Sequence, residues 1–198
     1  MFLEAFIDCH EQEVEVPGDK CVQRAAFWSE YKHRCTLKFF GAITGTGAFS
    51  LPSTAFPGRI TDPVITKLCL YLVMISRDGV TGADKGFDMH HEFARRGAFL
   101  SMPPKARRGQ HEFTAEQMVD TAAIARKRIH VERAFQRAQE FKVLHKTAPL
   151  TMVDMWGMVF AICCRLCNYQ PPLIRDGDRR VNTGRRGAWR GVHSEEEG

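Results

Sequence analysis

Three acids stand where they could do chemistry together. Asp8 closes the apolar run that starts at Phe2, Asp84 closes the shorter run Val80 to Ala83, and Glu132 lies in a later segment that is free of Pro and Gly. Acids at the ends of strands in a parallel or mixed sheet gather at the edge where ligands bind. Three carboxylates meeting there repel one another unless hard cations sit between them, and oxygen ligands favour Mg²⁺ or Mn²⁺.

Glu132 is the informative one. At about 100° per residue, with Ala125 as zero, Met118, Ala122, Ile129 and Gln136 fall at about 20° to 60°. On the same wheel Ile124, Val131, Phe135 and Ala138 fall at about 220° to 280°, and Glu132 at about 340°, between the two groups. A carboxylate on that side needs a cation, because burying it unpaired is costly. Two readings stay open: an i,i+4 ion pair with Arg128, or a metal ligand.

The basic residues are open to two readings as well. Arg126, Arg133, Arg137 and His130 share the opposite face of that helix, and Lys105, Arg107 and Arg108 lie in the loop before it. They either track DNA phosphates or form a solvated surface. Trp28, Tyr31, Lys32, Arg34 and Lys38 interleave aromatics with bases, as nucleic-acid surfaces do; Trp28 and Tyr31 also suit packing under a hairpin. Asp62 reads as a helix N-cap. Cys164 and Cys167 form a C-x-x-C without a second pair, in an apolar helix, so they read as buried thiols rather than zinc ligands. His90 and His91 diverge on a helix and read as surface. No Walker-type glycine loop is present, and Ser-His-Asp catalysis has no local support.

The elements that must position the acids follow from pattern. Residues 2–8 alternate as a strand. Residues 34–44 and 47–56 flank Gly45-Thr46-Gly47 and predict a hairpin. Pro57-Gly58 breaks the chain, and Thr61 or Asp62 caps a helix to about Leu72. Val80–Ala83 is a short strand. A helix about Met89 to Arg96 ends at Gly97, and Ala98 to Met102 is another strand. Thr114 with Gln117 makes a capping box for a long helix over 115–146. Pro149 precedes a second apolar helix, Met152 to Tyr169. The sum is an α/β domain over residues 1–170 with a mixed sheet, an antiparallel hairpin plus parallel strands, flanked by helices. A basic and acidic tail over 171–198 is expected to be disordered.

Composition narrows the class. The chain has 198 residues, 44% hydrophobic and 26% charged, with a net charge of +5. This fits one domain with a packed core and is compatible with a polyanionic partner. Seven cysteines at irregular spacing argue for a reducing compartment. The start, with Glu4 and no basic region, is no secretory signal. The apolar run Met155 to Cys164 falls short of the ~20 residues of a membrane helix, so no membrane partner is expected.

Six stretches, in order, resemble the DDE-type endonuclease domain of PIF/Harbinger transposases. They are Phe6-Ile7-Asp8-Cys9, the run Tyr31 to Phe39, Ala55 to Asp62, Gly82-Ala83-Asp84-Lys85-Gly86-Phe87, Arg128-Ile129-His130-Val131-Glu132-Arg133-Ala134 and Asn168 to Leu173. The resemblance implies an RNase H-like fold in which Asp8, Asp84 and Glu132 are the catalytic acids and hold two Mg²⁺ or Mn²⁺ ions. In that chemistry one ion activates a water or a DNA 3′-OH and the other stabilises the leaving oxygen in an in-line displacement at phosphorus. It also implies DNA as substrate, 3′-OH strand transfer and nuclear action. Two departures, His10 after the Asp-Cys pair and Lys85 after the second acid, remove no ligand. The first catalytic strand begins almost at Met1, so the expectation is a catalytic domain lacking the usual N-terminal recognition region, and a separate DNA-binding protein acting in trans is left open. A homo-oligomer is left open, as is the alternative of a domesticated or truncated relative that binds DNA or protein without catalysis.

Overall fold

Strand β1 (Leu3–Glu13) is the centre of the molecule. Its alternation sends Phe6, and beyond the strand Val14, into one hydrophobic cluster and Ala5, Ile7 and Cys9 into another. Such two-faced burial marks a strand with helices on both sides. The structure, a computed structural model, describes residues 3–84, 86–102 and 130–173.

β3 (Arg34–Ile43) runs antiparallel to β1 with Asp8 opposite Gly41 and Glu11 opposite Lys38. β4 (Phe49–Pro57) returns along β3 as the second arm of the expected hairpin. Gly47 turns it at φ +91°, and a side chain there would collide with Leu173, which fills the space. The short β2 (Trp28–Ser29) pairs the start of β3. On the other side of β1, β5 (Val80–Ala83) is parallel to it and β6 (Phe99–Ser101) is parallel to β5. The strand order is β4-β3-β1-β5-β6, with β2 beside β3 as well. The mixed α/β architecture expected from the sequence is therefore present.

One face of the sheet carries α5 (helical residues 130–139) and α7 (Val153–Cys167). Their shared core centres on Phe39 stacked on Phe160 at 4.5 Å and Phe49 edge-on to Phe135 at 5.5 Å. The opposite face carries α2 (Asp62–Leu68), α3 (Tyr71–Met74) and α4 (His90–Arg95) over Phe40, Phe87 and Phe93. A three-residue α1 (Lys20–Val22) and a π-helical turn (Gln23–Phe27) precede β2.

Two predicted helices are interrupted. The one expected to reach Leu72 breaks at Leu70, which takes a left-handed φ of 63°. The break turns Tyr71 inward, where its hydroxyl meets Thr81 Oγ1 at 2.8 Å. The long helix expected over 115–146 has its first part outside the described residues. Its end breaks after residue 139, and α6 (Lys142–His145) takes a new direction. That turn lets the Lys146 carbonyl accept the Gln12 amide and brings Ala148 beside Val14. Within the stretch expected as a tail, Leu173 donates its N–H to the Thr46 carbonyl, and residues 174–198 lie outside the described residues.

By length and composition Leu150–Cys167 is apolar enough to cross a membrane, with a mean hydropathy of 1.6. One face of it, Trp156, Phe160, Cys163, Cys164 and Cys167, fills the core instead.

Candidate active site

Register places the first two acids. β1 and β5 pair Phe6 with Gly82 and Ile7 with Ala83. One step further along both strands stand Asp8 and Asp84, half-buried at neighbouring strand positions. A side chain at residue 82 would strike the Phe6 ring at 2.3 Å, so the glycine lets that ring lie across β5 just before Asp84. Asp8 Oδ1 accepts the Cys9 backbone N–H at 2.8 Å, and the Asp84 carbonyl accepts the Phe87 N–H, closing a turn.

Asp8 shares its face of β1 with Phe6, His10 and Gln12, the face under α5. The helix approaches closely there: a Cβ on Gly41, the partner of Asp8, would lie 2.7 Å from the Phe135 ring. Val131, Ala134, Phe135 and Ala138 form the buried stripe of α5, at the i, i+3, i+4, i+7 spacing of an amphipathic helix. Glu132 is exposed and lies on one flank of that stripe. Gln139, seven residues on and so on the same flank, reaches His10 Nε2 at 2.8 Å. Arg137, on the other flank, donates to the Pro171 carbonyl. Glu132 thus occupies the β1 side of the helix, one turn before Phe135.

The donor chemistry fits a hard divalent cation, since carboxylate oxygens are its preferred ligands. Among the described residues, however, no three His, Cys, Asp or Glu side chains are gathered closely enough to hold a metal ion. Asp84 stands just past the end of β5, but Asp8 lies in the middle of β1 and does not close it as expected: the polar residues after it continue the ladder against β3, Glu11 opposite Lys38 and Gln12 opposite Leu37, as far as Glu13. Glu132 is exposed on the helix flank. Burial, then the charge of Lys32, pushes the His10 imidazole down to about 4, so at neutral pH it adds no positive charge beside the acids.

Asp62 is not the N-cap. Thr61 takes that position, and Asp62 sits in the first turn with its Oδ1 3.0 Å from Lys38 Nζ. Lys38 also lies 3.4 Å from Glu11, whose other oxygen accepts the Thr36 hydroxyl. Burial opposes the Lys38 charge, but the two carboxylates outweigh it and raise its pKa. Burial and the neighbouring Asp62 and Asp8 push the Cys9 thiol far up. The sequence does not disclose this buried charge network: Lys38 reads there as one of a set of nucleic-acid-facing bases, and its pairing with Glu11 follows only once β1 runs past residue 8.

The remaining candidates divide. Arg133 is exposed, while Lys105, Arg107, Arg108, Arg126 and Arg128 lie outside the described residues. Trp28 packs against the core; Tyr31 is exposed, with Lys32 Nζ 5.1 Å from its ring centre. Arg34 is bound to Glu13 at 3.0 Å. His90 and His91 are exposed and Cys164 and Cys167 buried, as expected. A cleft of about 440 Å³ continues along β1 from His10, lined by Lys32, Arg34, His145 and Lys146 together with Glu11 and Glu13.

No curated protein matches the chain. A family model described as DDE superfamily endonuclease matches residues 7–168, a span that begins just before the first acid and ends just after α7. The chain belongs to the DDE superfamily endonuclease family.

Proposed function

We propose that this chain is the catalytic domain of a Harbinger-type transposase, with an RNase H-like fold, that cuts DNA phosphodiester bonds using Mg²⁺ or Mn²⁺ held by Asp8, Asp84 and Glu132. The observation that carries the reading is the side-by-side placement of Asp8 on β1 and Asp84 just past the end of the parallel β5. The strand order β4-β3-β1-β5-β6, with three antiparallel strands followed by two parallel ones, supports the fold. The family match supports the endonuclease class.

Divalent ions bound there would supply charge neutralisation at the phosphate and a nucleophile at neutral pH. The chain's own residues do the rest. The Cys9 N–H orients the Asp8 carboxylate. Phe135 over Gly41 fixes the height of α5 above Asp8, and Glu132 on its flank would supply the third carboxylate. The cleft along β1 offers Lys32 and Lys146 to the DNA backbone, where neutralising phosphates supplies affinity. Arg133 adds to that surface from α5. Strand transfer and nuclear action follow from the same reading.

The test is nicking of supercoiled plasmid by the full chain in Mg²⁺ or Mn²⁺. Activity should fall by at least about 10³-fold in Asp84→Asn, as expected when charge stabilisation worth several kcal/mol is removed. A second reading, a DNA-binding relative without catalysis, is favoured because no three metal-ligating side chains are gathered among the described residues. Folded protein that binds DNA and leaves it uncut in both metals would establish that second reading and sink the first.

A further inference from the structure

The face of α7 turned away from the core is as apolar as the face turned toward it. Met155, Met158, Ile162 and Leu166 are 51%, 58%, 58% and 47% exposed, and Tyr169 just beyond the helix is 89% exposed. At 100° per residue these five side chains fall within about 80° of one another, one continuous stripe. A helix that is apolar all round is ordinarily a buried helix, and a contiguous exposed apolar stripe rimmed by polar residues marks an interaction surface.

We propose that this stripe is a self-docking surface on which a second copy of the chain lays its own α7 antiparallel to the first, about a two-fold axis near Phe160. The positions match under that symmetry. Met158 lies two residues before Phe160 and Ile162 two after it; Met155 lies five before and Leu166 six after. An antiparallel pair therefore sets Met158 against Ile162 and Met155 against Leu166, twice over, as an isologous interface requires. The charges match too. Asp154 lies six residues before Phe160 and Arg165 five after, both exposed and both on the same flank of the stripe, Asp154 at about 85° and Arg165 at about 65° from its middle. A two-fold axis of this kind brings residues of the same flank together, so each Asp154 faces the Arg165 of the second copy, giving two ion pairs at the rim. Trp156, Phe160 and Cys163 are already committed to the core, so docking needs no rearrangement of the fold.

The test is the mass of the full chain in solution by sedimentation equilibrium. The expected species has twice the 22.5 kDa of one chain. Met158→Glu with Ile162→Glu should give a monomer with an unchanged circular dichroism spectrum. Asp154→Arg alone should weaken the dimer by about tenfold or more, because it sets like charges opposite each other twice. Adding Arg165→Asp should restore it. A wild-type chain that stays monomeric up to about 100 µM, far above the dissociation constants of stable complexes, would overturn the proposal. A dimer indifferent to all three variants, or one in which Arg165→Asp fails to rescue Asp154→Arg, would overturn it equally.

Discussion

The ring of Phe135 occupies the space where residue 41 would carry a side chain, with its outer carbon 2.7 Å from the Cβ that Gly41 lacks. Gly41 is the cross-strand partner of Asp8, so this contact sets how near α5 comes to the first acid. Gly41→Val should lift the helix and cost about 1–3 kcal/mol, the usual range for overpacking. Urea unfolding measures that cost. Nicking activity should fall further than the lost folded fraction explains, because Glu132 moves with the helix.

The Lys38 ammonium neutralises two carboxylates with little solvent access, and its own side chain is only 12% exposed. Lys38→Met leaves Asp62 and Glu11 facing each other without a cation and should cost about 3 kcal/mol, since breaking a buried pair costs more than the pair contributes. Adding Asp62→Asn and Glu11→Gln removes the stranded charges and should recover most of the loss. Unfolding midpoints of the single and triple variants decide it.

Gln12 ties three elements together. Its side-chain oxygen accepts the Trp156 indole N–H at 2.9 Å, and its amide donates to the Lys146 carbonyl at 2.8 Å. Gln12→Leu strands a buried donor and a backbone acceptor, at about 1–3 kcal/mol each. The expected result is a lower unfolding midpoint and a shifted Trp156 emission in the folded protein.

The sheet was legible because its signals are local. The alternation in β1, the Gly-Thr-Gly turn of the β3–β4 hairpin and the short run Val80–Ala83 each define an element without reference to the rest of the chain. The same patterns placed Asp84 at the end of its strand, but they also closed β1 at Asp8, whereas the strand runs on to Glu13 because its polar residues find partners across the sheet. What could not be read depends on tertiary demand. Leu70 breaks a helix so that Tyr71 can reach Thr81, and α5 stops so that Ala148 can sit beside Val14. Lys38 looked like surface because nothing in its neighbours announces that Asp62, 24 residues away, closes over it. The helical wheel placed Val131, Phe135 and Ala138 on the buried side of α5 and Glu132 beside them, but a wheel gives an angle and not the reach of a side chain.

The thiols should divide sharply. Cys21 is exposed, whereas Cys35, Cys163, Cys164 and Cys167 are buried. Burial raises the last four, Cys167 to about 11; a raised thiol stays protonated at pH 8 and does not attack. Cys9 and Cys69 are raised as well. Ellman's reagent at pH 8 should find one fast thiol in the native protein and all seven after denaturation in guanidinium.

Divalent-ion binding tests the central claim without requiring turnover. In a Mn²⁺ titration followed by electron paramagnetic resonance, the full chain should bind two ions, and Asp8→Asn, Asp84→Asn and Glu132→Gln should each weaken binding by about tenfold or more, the scale of losing a ligand-shell interaction. A folded wild-type protein that leaves Mn²⁺ free, or one whose binding is the same in all three variants, would contradict a shared metal site.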